Sequence, residues 1–211
     1  MLRSLENLIG ASIIAMDGEM GRFSNFLFDD HGWMIRYLVV DVGNWLARRY
    51  VVISVSAIDQ PDWKTRTFRA KLTRDQVRNS PDVDSKKPIS RQQEIAMSEY
   101  YKWPTSWVTG ANLDYGGVLP PARRKFPVHT KEDPHLRSAE DVVGYQVWAK
   151  DDAIGRLENF IVDEASWHIG YLDVKTGDWL HCSSILVSTR WVRSVSWADH
   201  RVTLDRAREY I

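Results

Sequence analysis

The same segment occurs twice in this chain. Residues 4–46 and 138–180 align without a gap at a constant offset of 134, and about two in five positions are identical. Gly10 pairs with Gly144, Asp17 with Asp151, Gly21 and Arg22 with Gly155 and Arg156, and Asn25 and Phe26 with Asn159 and Phe160. Trp33 pairs with Trp167, Tyr37 and Leu38 with Tyr171 and Leu172, Gly43 with Gly177, and Trp45 and Leu46 with Trp179 and Leu180. A repeat of this length implies two copies of one supersecondary unit, which constrains the architecture before any single residue is weighed. It does not specify an activity.

The 211 residues give room for two small units, each of a size that can fold. Lys plus Arg is 28 and Asp plus Glu is 28, so the net charge gives no global attraction to nucleic acid or to an anionic membrane. The single cysteine, Cys182, excludes an intrachain disulfide. No apolar run reaches the roughly 20 residues that span a bilayer. Leu8 to Met16 has a counterpart in mid-chain, Val142 to Lys150, so it reads as a strand and not as a secretion signal. A soluble, cytoplasmic protein is the expectation.

Within each repeat the pattern is strand and turn. Ala11 to Met16 and Tyr145 to Ala149 are the first strands, after a short polar opening. Asp17-Gly18-Glu19 and Asp151-Asp152-Ala153 are tight turns, because Asp and Gly tolerate the required dihedrals. Arg22 to Phe28 and Arg156 to Val162 follow as second strands, with Gly21 and Gly155 at a bulge or close backbone approach. Trp33 to Asp41 and Trp167 to Lys175 are third strands, with Ile35, Tyr37 and Val39 on one face. Tyr50 to Val55 and Ser184 to Thr189 make a fourth, and Thr67 to Leu72 and Arg201 to Leu204 a fifth. Short strands at even spacing predict a small antiparallel barrel or sandwich. Thr73 caps a short helix, and Asp205 is expected to do the same before Arg206 to Ile211.

The expected division is a first β-unit over 1–80, a linker over 81–136 and a second β-unit over 137–211. Ser90 with Gln93 reads as a capping box opening a linker helix through about Tyr101. The linker then carries Tyr100, Tyr101, Trp103, Trp107 and Tyr115. A purely flexible connection would not carry so many large aromatics, so part of it packs on a β-unit or on a partner.

The paired pattern resembles the PRC-barrel family, the small β-barrel named after the photosynthetic reaction centre H subunit. The likeness rests on Leu8-Ile9-Gly10, the Asp17 to Gly21 turn, Asn25 to Asp29 and Ile35 to Asp41. In the second half it rests on Val142-Val143-Gly144, Ile154-Gly155, Phe160 to Asp163 and Ile169 to Val174. The linker residues Pro88 to Gln92 and Tyr100 to Pro104 also resemble proteins carrying two such barrels in tandem. The resemblance implies a mainly β protein with two small antiparallel barrels related by a pseudo-twofold axis, each followed by a short helix. It implies no shared catalytic motif.

Candidate chemistry is sparse. His181 and Cys182 are neighbours on an extended strand and point to opposite faces, which places them poorly for nucleophilic catalysis. The six histidines lack the close spacing of a structural zinc site. The acidic pairs Asp29-Asp30, Asp151-Asp152 and Asp163-Glu164 fall in turns, where Asp is favoured for backbone reasons. No catalytic residue, metal or cofactor is assigned. The expected function is non-enzymatic protein binding, with another protein or a second copy of the chain as partner, through Tyr100, Tyr101, Trp103 and Trp107. A basic run that includes Arg66, Arg69 and Lys71 supports an alternative, RNA or ribosome association. The family likeness suggests a further alternative, a peripheral subunit of a photosynthetic or other membrane complex.

Overall fold

A computed structural model describes residues 1–43, 49–59, 61–62, 64–80, 91–103, 136–177 and 183–211, with residues 91–94 described by backbone alone. The protein is mainly β. The first half contains β1 (Leu2–Ser4), β2 (Ser12–Ala15), β3 (Gly18–Asp29), β4 (Met34–Asp41), β5 (Tyr50–Ser54) and β6 (Thr67–Arg69). Helix α1 (Arg74–Arg78) and the linker helix α2 (Arg91–Tyr101) follow. The second half contains β7 (Leu136–Ser138), α3 (Ala139–Val142), β8 (Gln146–Trp148), β9 (Ala153–Asp163), β10 (His168–Thr176), β11 (Ser183–Ser188), β12 (Val192–Ser196) and β13 (Arg201–Leu204).

These strands form one large mixed sheet whose path runs open from β12 to β6. The all-antiparallel expectation is corrected at two ladders: β6 lies parallel to β2, and β13 parallel to β8. Strands that alternate direction leave the first and the fifth pointing the same way, so the ladder between them is parallel. In the first half the chain leaves β5 through a 3-10 turn, Val55–Ala57. It then runs beside β6, with Asp59 N–H donating to Arg69 O and Lys71 N–H to Ala57 O, both at 2.8 Å. In the second half the turn Thr189–Trp191 leads into β12, which pairs with β13.

The duplication extends to single hydrogen bonds. Arg74 N–H donates to the Asp17 carboxylate at 2.8 Å, and Arg208 N–H to that of Asp151 at 2.9 Å. Thr73 caps α1 as expected, in a capping box with Gln76. Asp205 does not cap a helix: the chain ends in a 3-10 turn over Arg208–Tyr210 with Ala207 at the cap position. The Asp205 carboxylate instead lies 2.7 Å from Lys150 Nζ, and an ion pair across the turn competes for the oxygen a cap would use. The capping box expected at Ser90 and Gln93 lies outside the described residues.

The two halves are joined by reciprocal exchange of their opening segments. β1 pairs antiparallel with β9, and its counterpart β7 pairs antiparallel with β3. Asn25 Nδ2 donates to Ser138 Oγ at 2.7 Å, and Asn159 Nδ2 to Ser4 Oγ at 2.6 Å. Ile35 N–H donates to Trp167 O at 2.9 Å, and Ile169 N–H to Trp33 O at 2.8 Å. Arg3 pairs with Glu164 at 2.9 Å, and Arg137 with Asp30 at 3.3 Å. Each of these pairs maps onto its twin under the offset of the repeat. Beneath them the core is continuous: Phe160 meets Phe26 and Phe28 with ring centroids 5.6 and 5.5 Å apart, and all three rings are fully buried.

A bulge sets the phase of the long strands. The β3–β4 register skips Arg36, and the β9–β10 register skips its counterpart Gly170. Alternation therefore shifts by one residue, and Tyr37 and Val39 do not share a face with Ile35, as a regular strand would require. Ile169, Leu172 and Val174 in β10 are fully buried, while Tyr171 and Asp173 between them are partly exposed.

The repeated glycine of the second strand has a steric cause. A Cβ on Gly21 would collide with the Asp41 carbonyl, and one on Gly155 with the Lys175 carbonyl. Both obstacles are backbone atoms inside a ladder and cannot swing aside. Gly155→Ala is expected to destabilise the protein by about 1–3 kcal/mol or more, as overpacking does. Urea denaturation reads the loss, and an unchanged midpoint would remove this explanation of the repeated glycine.

Candidate functional site

The outer face of β4 is apolar, and that of its counterpart β10 is polar. Val39 has Asp173 as its counterpart, and Asp41 has Lys175. Tyr37 is fully buried, but Tyr171 is partly exposed. The difference lies in what covers them. Trp103, just after α2, packs on Tyr37 with ring centroids 6.2 Å apart, and stacks on Tyr101 at 4.2 Å with planes 11° from parallel. Met97 and Ser98 of α2 are buried as well. The linker aromatics Tyr101 and Trp103 thus close the apolar outer face of the first half from within the chain. Burial pushes the Tyr101 hydroxyl pKa up, consistent with a ring withdrawn from water.

Tyr100 behaves differently. It remains 38% exposed, with its ring edge-on to Tyr101 at 4.8 Å. Its hydroxyl donates to Gln76 O at 2.9 Å, which ties α2 to α1. Ile95 is the other large exposed apolar side chain of the helix. The structure therefore separates Tyr101 and Trp103, turned into the fold, from Tyr100, turned outward. Trp107 lies outside the described residues.

The basic residues lie on the exposed edge that ends in β6. Arg66 donates to Ile9 O at 2.7 Å, and Arg22 to the adjoining Gly10 O at 3.3 Å, so two guanidinium groups meet at one corner. Arg69 and Lys64 are exposed, and Lys71 pairs with Asp59 at 2.8 Å. The second half replaces Arg66 with His200, Arg69 with Thr203 and Lys71 with Asp205, so the charge is confined to the first half.

Two further groupings were not foreseen as such. Asp29, Asp30 and His31 bring three potential metal ligands within 4.8 Å of one another. Arg36 reaches Asp29 at 3.2 Å, Arg137 reaches Asp30 at 3.3 Å, and His31 N–H donates to Asp29, so this corner already has its counter-charges. The second is a shallow depression of about 470 Å³ lined by Asp141, Tyr145, Gln146, Arg156, Asp199 and His200. Burial raises the pKa values of Asp141 and Tyr145 there. Its open shape does not enclose a ligand. His181, Cys182, His129 and His135 lie outside the described residues.

Sequence reading missed the joint between the halves. Its signal was present: Ser4, Asn25, Ser138 and Asn159 are identical polar pairs in the repeat, and Asn25 and Asn159 are buried. A polar residue kept in both copies at a buried position is there for its hydrogen bonds. No family model matches this chain, and no curated protein matches it.

His168 sits at this joint, opposite Met34 of β4 and Asp163 of β9. Burial, with the Arg190 charge nearby, holds its pKa below the ordinary value, against an opposing pull from Asp163. A histidine depressed in the folded state contributes its full stability above the unfolded value of about 6.5, and loses it as pH falls through the folded value. Stability should therefore decline as pH falls from about 7 through 6.5 and below, and His168→Gln should flatten that slope. Thermal unfolding across this range measures it; equal slopes for both proteins would contradict the assignment.

Proposed function

We propose that the chain is a tandem pair of PRC-type β-barrels acting as a non-enzymatic protein-binding module. Two features support the barrels: the sequence resemblance, and ladders that in each half run β2 to β6 or β8 to β13 with one interruption at a 3-10 turn. The binding role rests on one observation. A linker helix is fixed on one half by buried Tyr101 and Trp103, and presents Tyr100 and Ile95 to solvent, while the equivalent face of the other half is polar. Exposed aromatics on a rigid support are favoured anchors for a protein partner, because little side-chain entropy is lost on docking.

A second reading, RNA or ribosome association, is supported by the corner where Arg22 and Arg66 meet beside exposed Lys64 and Arg69. Phosphate contacts of this kind weaken as salt rises.

One experiment separates the readings. Affinity capture from the native cell compares the wild-type chain with an Ile95→Ala, Tyr100→Ala variant and a Trp103→Ala variant. The first should keep the buried Tyr101–Trp103 stack and the fold, losing only the Tyr100 hydrogen bond to Gln76, and lose a specific protein partner at least tenfold. Trp103→Ala should instead destabilise the fold by about 3–5 kcal/mol. A protein partner retained equally by wild type and double variant would contradict the docking role of α2. Recovery of ribosomal RNA that disappears at high salt would favour the second reading.

A further inference from the structure

The second half exposes a set of positions that the first half keeps covered. Leu136, Leu27, Tyr37 and Val52 are buried on the face that α2 and Trp103 close. Under the offset of the repeat their counterparts are Leu2, Ile161, Tyr171 and Leu186. Leu2 is 51% exposed and Leu186 54%, against 2% for both Leu136 and Val52. Ile161 and Tyr171 are partly exposed. The ladders put all four on one side of the sheet. Tyr171 pairs with Ile161, and Leu186 with Asp173, two residues beyond Tyr171. Leu2 stands two residues before Ser4, the partner of Ile161, and its side chain ends near Gly170. Asp173 and Lys175 lie among these side chains, so this face stands in water without a cover. Exposed apolar groups mixed with charges are the composition of surfaces that associate reversibly.

We infer that a second copy of this chain docks there: the outward side of α2 on one copy packs on the outer face of β10 and β11 on another. The first half shows what seats on this face of the repeat, a helix whose following ring packs on the central tyrosine, as Trp103 does on Tyr37. Helix α2 has a second side, where Ile95 and Tyr100 are exposed beside Glu99 and Lys102. Both surfaces are exposed within one chain, so they do not meet there. They match in chemistry. Ile95 and Tyr100 find apolar partners in Leu186 and Tyr171. Lys102 finds a carboxylate in Asp173, where the first half has Val39, and Glu99 finds an ammonium in Lys175. Asp173 accepts a hydrogen bond from Ser184 Oγ, and a carboxylate so engaged still has lone pairs for a second donor. No strand or helix leaves its place to make this contact. Its two surfaces are unlike and every copy carries both, so a pair of copies can form it twice. Doubling brings a helix-sized patch toward the roughly 1,200–2,000 Å² of a stable interface.

The inference rests on the reading of α2 as a docking element and names its partner. Sedimentation equilibrium of the full chain from about 1 μM to about 100 μM tests it. The expected result is a reversible shift from 24.4 kDa toward twice that mass. Leu186→Asp sets a carboxylate beside Asp173 on an exposed position, so it should weaken association at least tenfold and leave the thermal midpoint unchanged. Ile95→Ala, Tyr100→Ala should weaken it equally. Mixed one to one, the two variants retain one intact contact, the helix from the first and the face from the second, and should associate more tightly than either alone. A wild-type chain that stays at monomer mass throughout overturns the inference. So does association that survives either variant, or a mixture no tighter than its components, which would mean like surfaces in contact. The capture experiment decides the wider reading separately: a monomeric wild type that still loses a captured protein on Ile95→Ala, Tyr100→Ala overturns the second copy as partner and keeps the docking role of α2.

Discussion

Three residues at the head of each half complete the sheet of the other half, and most of the structure follows from that exchange. Without Leu136–Ser138 the end of β3 at Leu27–Asp29 has a bare edge, and without Leu2–Ser4 the end of β9 at Ile161–Asp163 has one. Bare edges and a split aromatic core are costly for units this small, because a short chain buries too little apolar surface to tolerate the loss. The side-chain amides of Asn25 and Asn159 add direction. Each donates to a serine of the opposite half and accepts from the next backbone N–H, at Phe26 or Phe160. A buried amide satisfied on both sides fixes register as well as stability, since displacement by one residue would leave it unpaired. The pairs Arg3–Glu164 and Arg137–Asp30 flank these amides, the second with both side chains largely withdrawn from water, and add charge complementarity to the joint.

Duplication has left the inner faces alike and let the outer faces diverge. The buried positions of β4 and β10 match: Ile35 with Ile169, Leu38 with Leu172 and Val40 with Val174. The outward positions do not, and Val39 against Asp173 is the plainest case. An apolar outer face needs a cover, and α2 with Trp103 supplies it from the linker. A polar outer face needs none, and there Lys175 reaches Glu158 at 3.3 Å across the sheet. The molecule is symmetric in what holds it together and asymmetric in what it shows to solvent. The outward side of α2 and the Arg66 position are where the two halves differ most at the surface.

Much of this was legible in the sequence where local chemistry decides the outcome. The alternating runs that became β2 to β5 and β8 to β11 are bounded by Asp and Gly turns, and Thr73 announced the cap of α1. Gly21 and Gly155 signalled a close backbone approach. What could not be read depends on partners distant in the chain. Leu2-Arg3-Ser4 has no apolar periodicity and is a strand only because β9 lies beside it. Val192–Ser196 mixes apolar with polar residues and is held by β13. The bulge at Arg36 reversed the expected face of Tyr37 without any local mark. Asp205 looked like a helix cap until Lys150, 55 residues earlier, took its carboxylate. The candidate site was legible as an aromatic cluster, but which rings face inward depends on Val39 and Tyr37 in another segment.

The central claim is that the halves are one cooperative unit, and hydrogen exchange of individual amides in a Phe160→Ala variant tests it most directly. Truncation of this ring should cost about 3–5 kcal/mol, as for other buried aromatics. The account predicts that slow amides of β3 and β4 in the first half lose as much protection as those of β9 and β10 in the second. A loss confined to the second half would mean that each half is stable alone, and that the exchange of opening strands is incidental.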